Sequence, residues 1–549
     1  LFVPSEHQPA LPRGQLILAQ RPGPDAIELD VLFVGGGPAG LAGAIALARL
    51  VAEDNARGGG MGDVAIGVLE KGERLGDHCL SGAVVNPCAL RELFPDLADK
   101  DFPFAAPVQS EAVYLLTRRS AWRVPTPPIM RNHGFYVASL CDMVRWLGQQ
   151  AEQLGINLFP GFPAASLLAD GDRVIGVRTA AAGLERDGQP GSAYQAPTDV
   201  AARVTVLAEG TRGMLTQAYL ESQRIGSPNP PIFALGVKEL WETKQPLDRV
   251  VHTMGWPLPA AVFGGSFMYP LAPELVALGL VVALDASEAG QDAHELLQQM
   301  KLHPLFRKYL DGGEMVEWGA KTIPEGGYYS LPERRHGDGV VIVGDAAGLV
   351  NVPALKGIHY AMQSGIYAAQ TIFRALKAGD TSRAALADYD RLLGESYVMR
   401  DLYRTRNMRL AFRRGFVRGT IGAGLATLTG GAIPRGRIPM PADAAVSRAT
   451  PRTPAVAPDG KLTFSKVDAV FRSGNATRDT IPGHLVAPGD VPREVAEFYA
   501  RMCPAGVYEW VDGALRINAP NCVDCKATDV LGPRWTPREG GSGPRYRRM

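Results

Sequence analysis

The sequence predicts an α/β and α+β chain: a Rossmann-like dinucleotide-binding domain with a mixed domain inserted in it, followed by a small cysteine-bearing module. Three observations predict it. A short buried-strand pattern at Asp30–Val34 runs through a glycine turn, Gly35-Gly36-Gly37-Pro38-Ala39-Gly40, into an Ala- and Leu-rich helical segment. Far downstream, Val340 to Gly348 reads VVIVGDAAG and returns to the buried-strand pattern. Cys503, Cys522 and Cys525 crowd the C-terminal region, whereas Cys79, Cys88 and Cys141 are scattered. At about 150 residues per domain, 549 residues suggest roughly three or four folding units.

Composition excludes several classes. Hydrophobic residues at 46% and charged residues at 21% disfavour disorder, collagen and a disulfide scaffold. Lys and Arg total 57 against 56 Asp and Glu, so no global field draws the chain to nucleic acid, and any basic surface must be local. No secretory signal is visible. The uncharged run Thr253 to Pro273 has bilayer length, but Pro257, Pro259, Pro270 and Pro273 forbid a continuous helix there.

In chain order, Asp30–Val34, a helix at Leu41–Leu50 and a strand at Val64–Leu69 form a βαβ unit with a glycine-rich insertion near Arg57–Gly62. A helix is expected from Leu140, where Met143, Val144, Leu147, Ala151 and Leu154 recur at helical spacing, then strands at Ile156–Phe159, Val174–Thr179 and Val204–Ala208. Gly183–Asp199 reads as a polar connection. The inserted domain contributes a strand at Leu275–Leu284 and one helix near Ala293–Leu310, and a long helix is expected over Gly357–Ala378. Between Pro434 and Gly460, five further prolines among Ala, Ser and Thr read as an extended linker.

Chemistry enters at the turns. Gly35, Gly37 and Gly40 match the three glycines of a dinucleotide fingerprint: a tight turn, close approach to a pyrophosphate, and close helix packing. The helix N-terminus at Pro38-Ala39 supplies amides and positive dipole to phosphate. Glu70, ending the second strand beside Lys71, can accept from a ribose. FAD is favoured over NAD by the remote segments: Gly344-Asp345 ends a buried strand where a carboxylate can meet a ribityl hydroxyl, and Val206 to Gly210 adds a second strand-to-turn signature. No second strand-associated fingerprint supports a pyridine nucleotide donor; Gly422-Ala423-Gly424 fails for lack of a third glycine and a preceding strand. The Cys503 and Cys522-Val523-Asp524-Cys525 spacing resembles ferredoxin-type ligation, in which thiolates bind soft iron.

These residues together resemble the electron-transfer flavoprotein:ubiquinone oxidoreductase family. The likeness runs through Gly236 to Trp241, Gly255-Trp256-Pro257-Leu258, Phe263-Gly264-Gly265-Ser266-Phe267, Asn351-Val352-Pro353, Lys356-Gly357, and the C-terminal CPAGVYEW and INAPNC segments. It implies an FAD-binding domain over 28–110, 140–235 and 335–400, a quinone-binding, membrane-facing domain over 111–139 and 236–334, a basic-apolar segment and linker over 401–459, and a ferredoxin-like iron–sulfur domain over 460–549. It implies electrons taken from reduced electron-transfer flavoprotein and passed to ubiquinone. It also implies monotopic attachment to an energy-transducing membrane, either the bacterial cytoplasmic or the mitochondrial inner membrane. The helix beginning at Lys356-Gly357 would face the N1/O2 edge of the flavin, and Phe263-Gly264-Gly265 would line the quinone pocket, with Phe where the family usually has Tyr. Cys79 would lie in a flavin-proximal loop.

The resemblance departs at the cluster, where Thr528 stands at the expected fourth ligand position. A hydroxyl is a poor iron ligand near neutral pH. The alternatives are a 4Fe-4S cluster whose last iron takes water or the carboxylate of Asp524 or Asp529, a 3Fe-4S cluster, or no cluster. Competing readings are an FAD-dependent reductase or hydroxylase of a lipid-like substrate and a redox-inactive paralogue. Arg404, Arg406, Arg409, Arg413, Arg414 and Arg418, with Arg435 and Arg437, flank an uncharged segment, Gly419–Pro434, which suits shallow attachment to anionic lipid.

Overall fold

In the computed structural model, residues 1–286, 292–449 and 455–549 are described; Pro451 and Pro454 of the expected linker lie outside these ranges. The first sheet is organised around Asp199–Leu207. Along one edge it pairs in parallel with Ile27–Val34, which pairs in parallel with Ile66–Glu70, and that with Asn157–Pro160. Its other edge is shared: Arg173–Thr179 runs antiparallel beside its first half, and Val340–Ile342 parallel beside its last three residues. Val31, Leu32, Phe33, Val204, Val206 and Val341 are almost fully buried, as expected of a parallel sheet covered on both faces. Ile17–Leu18 adds an edge strand that the sequence reading did not place.

The fingerprint helix spans Pro38–Ala56, starting earlier and ending later than its apolar pattern. Pro38 at its first turn needs no N–H partner. Ile358–Ala378 packs on it through two glycines: a Cβ on Gly365 would sit 2.2 Å from the Ala39 carbonyl oxygen, and one on Gly43 would sit 2.7 Å from the Phe33 ring.

The second sheet has seven strands in the order Glu314–Pro324, Phe233–Glu242, Leu275–Ala283, Gly264–Ala272, Val250–Gly255, Glu111–Leu116 and Ala121–Val124. The proline-rich uncharged run is thus parts of two strands. The single helix expected near Ala293–Leu310 is two, Ala293–Lys301 and Pro304–Leu310. Pro304 cannot donate into the first helix, and His303 Nδ1 caps the second by accepting from Leu305 N at 3.1 Å. The polar connection after Gly183 contains a two-stranded ribbon, Ala182–Leu184 with Pro190–Gln195.

The C-terminal residues are not a detached module. Helices Lys466–Arg472 and Arg493–Met502, the hairpin Tyr508–Val511 and Ala514–Ile517, and the short helix Ala527–Leu531 dock on both sheets. Thr322 N donates to the Cys525 carbonyl at 3.0 Å, Lys321 Nζ to the Asp524 carbonyl at 3.3 Å, and Arg212 Nε to Asp529 Oδ2 at 2.8 Å. The N-terminal segment straps over the same module, with the Phe2 ring 5.1 Å from Phe498 and Gln8 Nε2 donating to the Asp529 carbonyl at 2.9 Å.

Candidate functional site

A cavity of about 680 Å³ runs from the glycine turn, between the sheets, to helix Phe416–Leu428. Gly35, Gly37, Pro38 and Ala39 line one end of it, with Glu70, Lys71 and Gly210 beside them. Asp345, Lys356 and Gly357 line its middle, and Phe263, Gly264 and Gly265 lie toward the other end. Gly40 and Gly344 do not line it. Gly40 is required for closeness, since a Cβ there would meet the Gly35 carbonyl oxygen at 2.1 Å. Gly344, at φ +64, lets its strand turn against Ala39.

Two helix N-termini open on this cavity, and neither is capped by a side chain. Gly37 precedes Pro38–Ala56, and Gly357 precedes Ile358–Ala378. Each leaves backbone donors and positive dipole free for an acceptor. A Cβ on Gly37 would meet nothing within 4 Å, so the turn is open to a ligand. Glu70 accepts from Gly36 N at 3.1 Å and Gly72 N at 2.7 Å, one bond on each oxygen, leaving a carboxylate's remaining lone pairs available. Desolvation at the cavity wall pushes the Asp345 carboxyl up to about 6. Lys356 donates to Asn132 Oδ1 at 2.8 Å, and Asn132 in turn donates to Glu111, tying the second helix start to the second sheet. Burial pulls the Lys356 ammonium down to about 8.

At the far end, Gly264 and Gly265 lie so close to neighbouring strands that a Cβ would meet the Val281 and Thr253 carbonyl oxygens at 2.1 and 2.6 Å. The Phe263 ring packs tilted against Phe412, centroids 4.8 Å apart, and beneath the Arg409 guanidinium, 4.3 Å away. Arg409 therefore does not belong to a basic surface flank: it is buried, paired with Glu325 at 2.7 Å and Asp285 at 2.9 Å. Helix Phe416–Leu428 turns Thr420, Ala423, Gly424 and Thr427 to the cavity, while Val417, Ile421, Leu425 and Leu428 are exposed, Leu428 by 85%. Arg413, Arg414, Arg418, Arg435 and Arg437 are exposed around it.

Cys503, Cys522 and Cys525 are buried and unpaired by disulfides. Burial raises all three thiols, Cys522 to about 12, and Cys503 and Cys522 push Cys525 higher still. Three buried thiols, with Cys503 and Cys522 opposing ionisation of Cys525, suit a positive iron centre, which would deprotonate them. Thr528 is buried beside them, its hydroxyl 3.2 Å from that of Tyr508. Both carboxylates considered as substitute ligands are engaged by cations. Asp529 binds Arg212, and Asp524 binds Lys71 at 2.5 Å and Arg538 at 2.8 Å. Sequence reasoning missed His484, which is buried with neither ring nitrogen hydrogen-bonded; its nearest ligand atom, the Cys522 sulfur and an Asp524 oxygen all lie within 4.8 Å of one another. A lone histidine carries no spacing signal, and only the fold brings it there. Cys79 lines the cavity, whereas Cys88 lies away from it, 3.3 Å from the Tyr397 hydroxyl.

A dinucleotide fold, a second sheet closing a long apolar cavity and three buried cysteines in the C-terminal module define the class: an oxidoreductase of the flavoprotein type with an iron–sulfur module. Residues 233–323 match the family model described as ETF-QO, ubiquinone-binding, and residues 460–547 that described as electron transfer flavoprotein-ubiquinone oxidoreductase, 4Fe-4S. The chain is 38% identical to the mitochondrial electron transfer flavoprotein-ubiquinone oxidoreductase of Oryza sativa, over 95% of this chain and 93% of that one. It is 37% identical to the Pseudomonas aeruginosa protein of the same description, over 95% and 99%, and 37% identical to the mitochondrial Homo sapiens protein, over 95% and 90%. The chain belongs to the electron transfer flavoprotein-ubiquinone oxidoreductase family. Among solved structures, a geranylgeranyl bacteriochlorophyll reductase-like protein from Thermoplasma acidophilum shares the fold at a TM-score of 0.55 and 19% identity, covering 75% of this chain and 93% of that one.

Proposed function

We propose that this chain takes electrons from reduced electron-transfer flavoprotein and delivers them to ubiquinone, using FAD in the long cavity and an iron–sulfur cluster on Cys503, Cys522 and Cys525. The observation that carries the proposal is the continuity of one cavity from the uncapped helix at Gly37, past the uncapped helix at Gly357, to the Phe263-Gly264-Gly265 turn under an exposed apolar helix. FAD, when bound, stores one or two electrons, and the cluster relays them singly. The amides after Gly37 hold the pyrophosphate, Glu70 the ribose, and Asp345 the ribityl chain. The amides after Gly357 would offer hydrogen bonds and positive dipole to the electron-rich edge of the ring. Gly264 and Gly265 present backbone to the quinone head because a side chain there would collide with adjacent strands. Phe263 contributes an apolar face without a hydroxyl.

Helix Phe416–Leu428 supports attachment to one face of a membrane. No helix among the described residues is long and apolar enough to cross a bilayer. Its outer apolar face and surrounding arginines suit insertion into one leaflet of anionic lipid, and its inner face lines the cavity, so a lipid-dissolved quinone enters without crossing water. The test is flavin and iron content with EPR on anaerobically purified protein, together with quinone reduction by reduced electron-transfer flavoprotein. FAD, a cluster signal and turnover are expected; protein holding FAD but no iron, with no quinone reduction, overturns the relay.

A further inference from the structure

The fingerprint turn from Gly35 to Gly40 carries no cationic side chain, yet a dinucleotide brings a doubly charged pyrophosphate into a largely closed cavity. Backbone amides and a helix dipole equivalent to about half a charge offset only part of that. Compensation must come from side chains on other elements. Lys238 and Lys321 of the second sheet also line the cavity, and they donate to the Ser81 and Asp524 carbonyls. Lys71 is paired with Asp524, and Arg409 with Glu325 and Asp285. Lys356 serves the second helix start through Asn132.

Lys526 is set apart by its place beside the Gly210–Arg212 turn. It follows Cys525 directly, is held at φ +62, and is 6% exposed. Its side chain lines the cavity together with Trp535. Its Nζ donates to the Arg212 carbonyl at 2.9 Å, two residues beyond Gly210, and among the described residues no carboxylate is ion-paired with it. The Trp535 ring steers it: Lys526 Nζ lies 4.6 Å from the ring centroid and Lys71 Nζ 4.9 Å, while the indole N–H is fixed on Asp524 at 2.9 Å. A lysine side chain with no ion-paired carboxylate among the described residues thus lies between the strand end at Glu70-Lys71 and the Gly210 turn.

We propose that the cysteine-bearing module is a wall of the flavin site, and that Lys526 is the side-chain cation for the dinucleotide phosphates, positioned by Trp535. This rests on the FAD reading above. Retention of flavin then depends on the cluster loop as well as on the Rossmann-like turn, because the residue after a cluster ligand touches the flavin's phosphates.

The test uses the full holoenzyme and reads release of FAD, as the rise in free-flavin fluorescence after dilution, with iron measured on the same samples. Lys526→Gln is expected to release FAD about tenfold faster, the size of losing one charged hydrogen bond. Lys526→Arg should release it near the wild-type rate, and the Lys526→Gln defect should shrink at high salt, with iron content unchanged in both variants. Equal release from wild type and Lys526→Gln overturns the proposal while leaving the FAD reading standing. Loss of iron and flavin together in both variants also overturns it, by making Lys526 a structural residue. Wild-type protein purified without FAD sinks the reading and this inference with it.

Discussion

Thr528 sits where a fourth thiolate would complete the ligand set, and its hydroxyl is turned to Tyr508 rather than to a cation. Asp524 and Asp529, the two carboxylates that could substitute, are held by lysine and arginine. Thr528→Cys should therefore raise bound iron and shift the EPR spectrum toward that of a fully thiolate-ligated cluster; an unchanged iron count and spectrum would mean that wild type already holds its full complement. Asp199 makes a second residue-scale prediction. Arg178 donates to both its oxygens, at 2.7 and 3.0 Å, and Gly23 N at 2.9 Å, which holds the Asp199 carboxyl below the usual carboxylate range. A carboxyl depressed in the fold stabilises above its unfolded value, about 3.9, and that stability is lost as pH falls through the lower folded value. Asp199→Asn should cost about 1.5–3 kcal/mol at neutral pH and almost nothing below that window, read from denaturant midpoints across pH.

At the scale of elements, the glycine turn works only because two helices close on each other behind it. Gly365→Ala would drive a methyl into the Ala39 carbonyl, which belongs to the first turn of the fingerprint helix. The expected result is a loss of about 1–3 kcal/mol in stability together with weaker FAD retention; normal retention would uncouple that packing from the site. Helix Phe416–Leu428 divides its faces between cavity and exterior, and the exterior face is apolar. Ile421→Glu with Leu425→Glu should abolish flotation with anionic vesicles, since each buried aliphatic side chain contributes about 1.5–3 kcal/mol. Undiminished flotation would place membrane contact elsewhere.

For the whole molecule, the decisive feature is that the C-terminal module is built into both sheets. Asp524 receives Lys71 from the first sheet, and Arg538 and Trp535 from its own module, while its carbonyl receives Lys321 from the second sheet. Asp524→Ala would leave buried cations unpaired, costing about 3–5 kcal/mol, and should appear as a lowered melting temperature with loss of both iron and flavin. A variant that melts like wild type would show that the module docks by its apolar contacts alone.

The legible features are local: the strand-turn-helix around Gly35 to Gly40, the strand ending at Gly344-Asp345, the helix after Gly357 and the cysteine spacing each carry a signal within a few residues of sequence. The boundaries it misread had local causes as well, as where Pro304 splits an apolar run that looks like one helix. Tertiary structure alone decided the convergence. It placed Lys526 and Trp535 on the long cavity, set His484 beside Cys522, and withdrew Arg409 from the surface to cover Phe263. The reason is physical: periodicity and turn chemistry act over neighbouring residues, whereas charge pairing and cavity lining depend on which distant segments the packed sheets bring together.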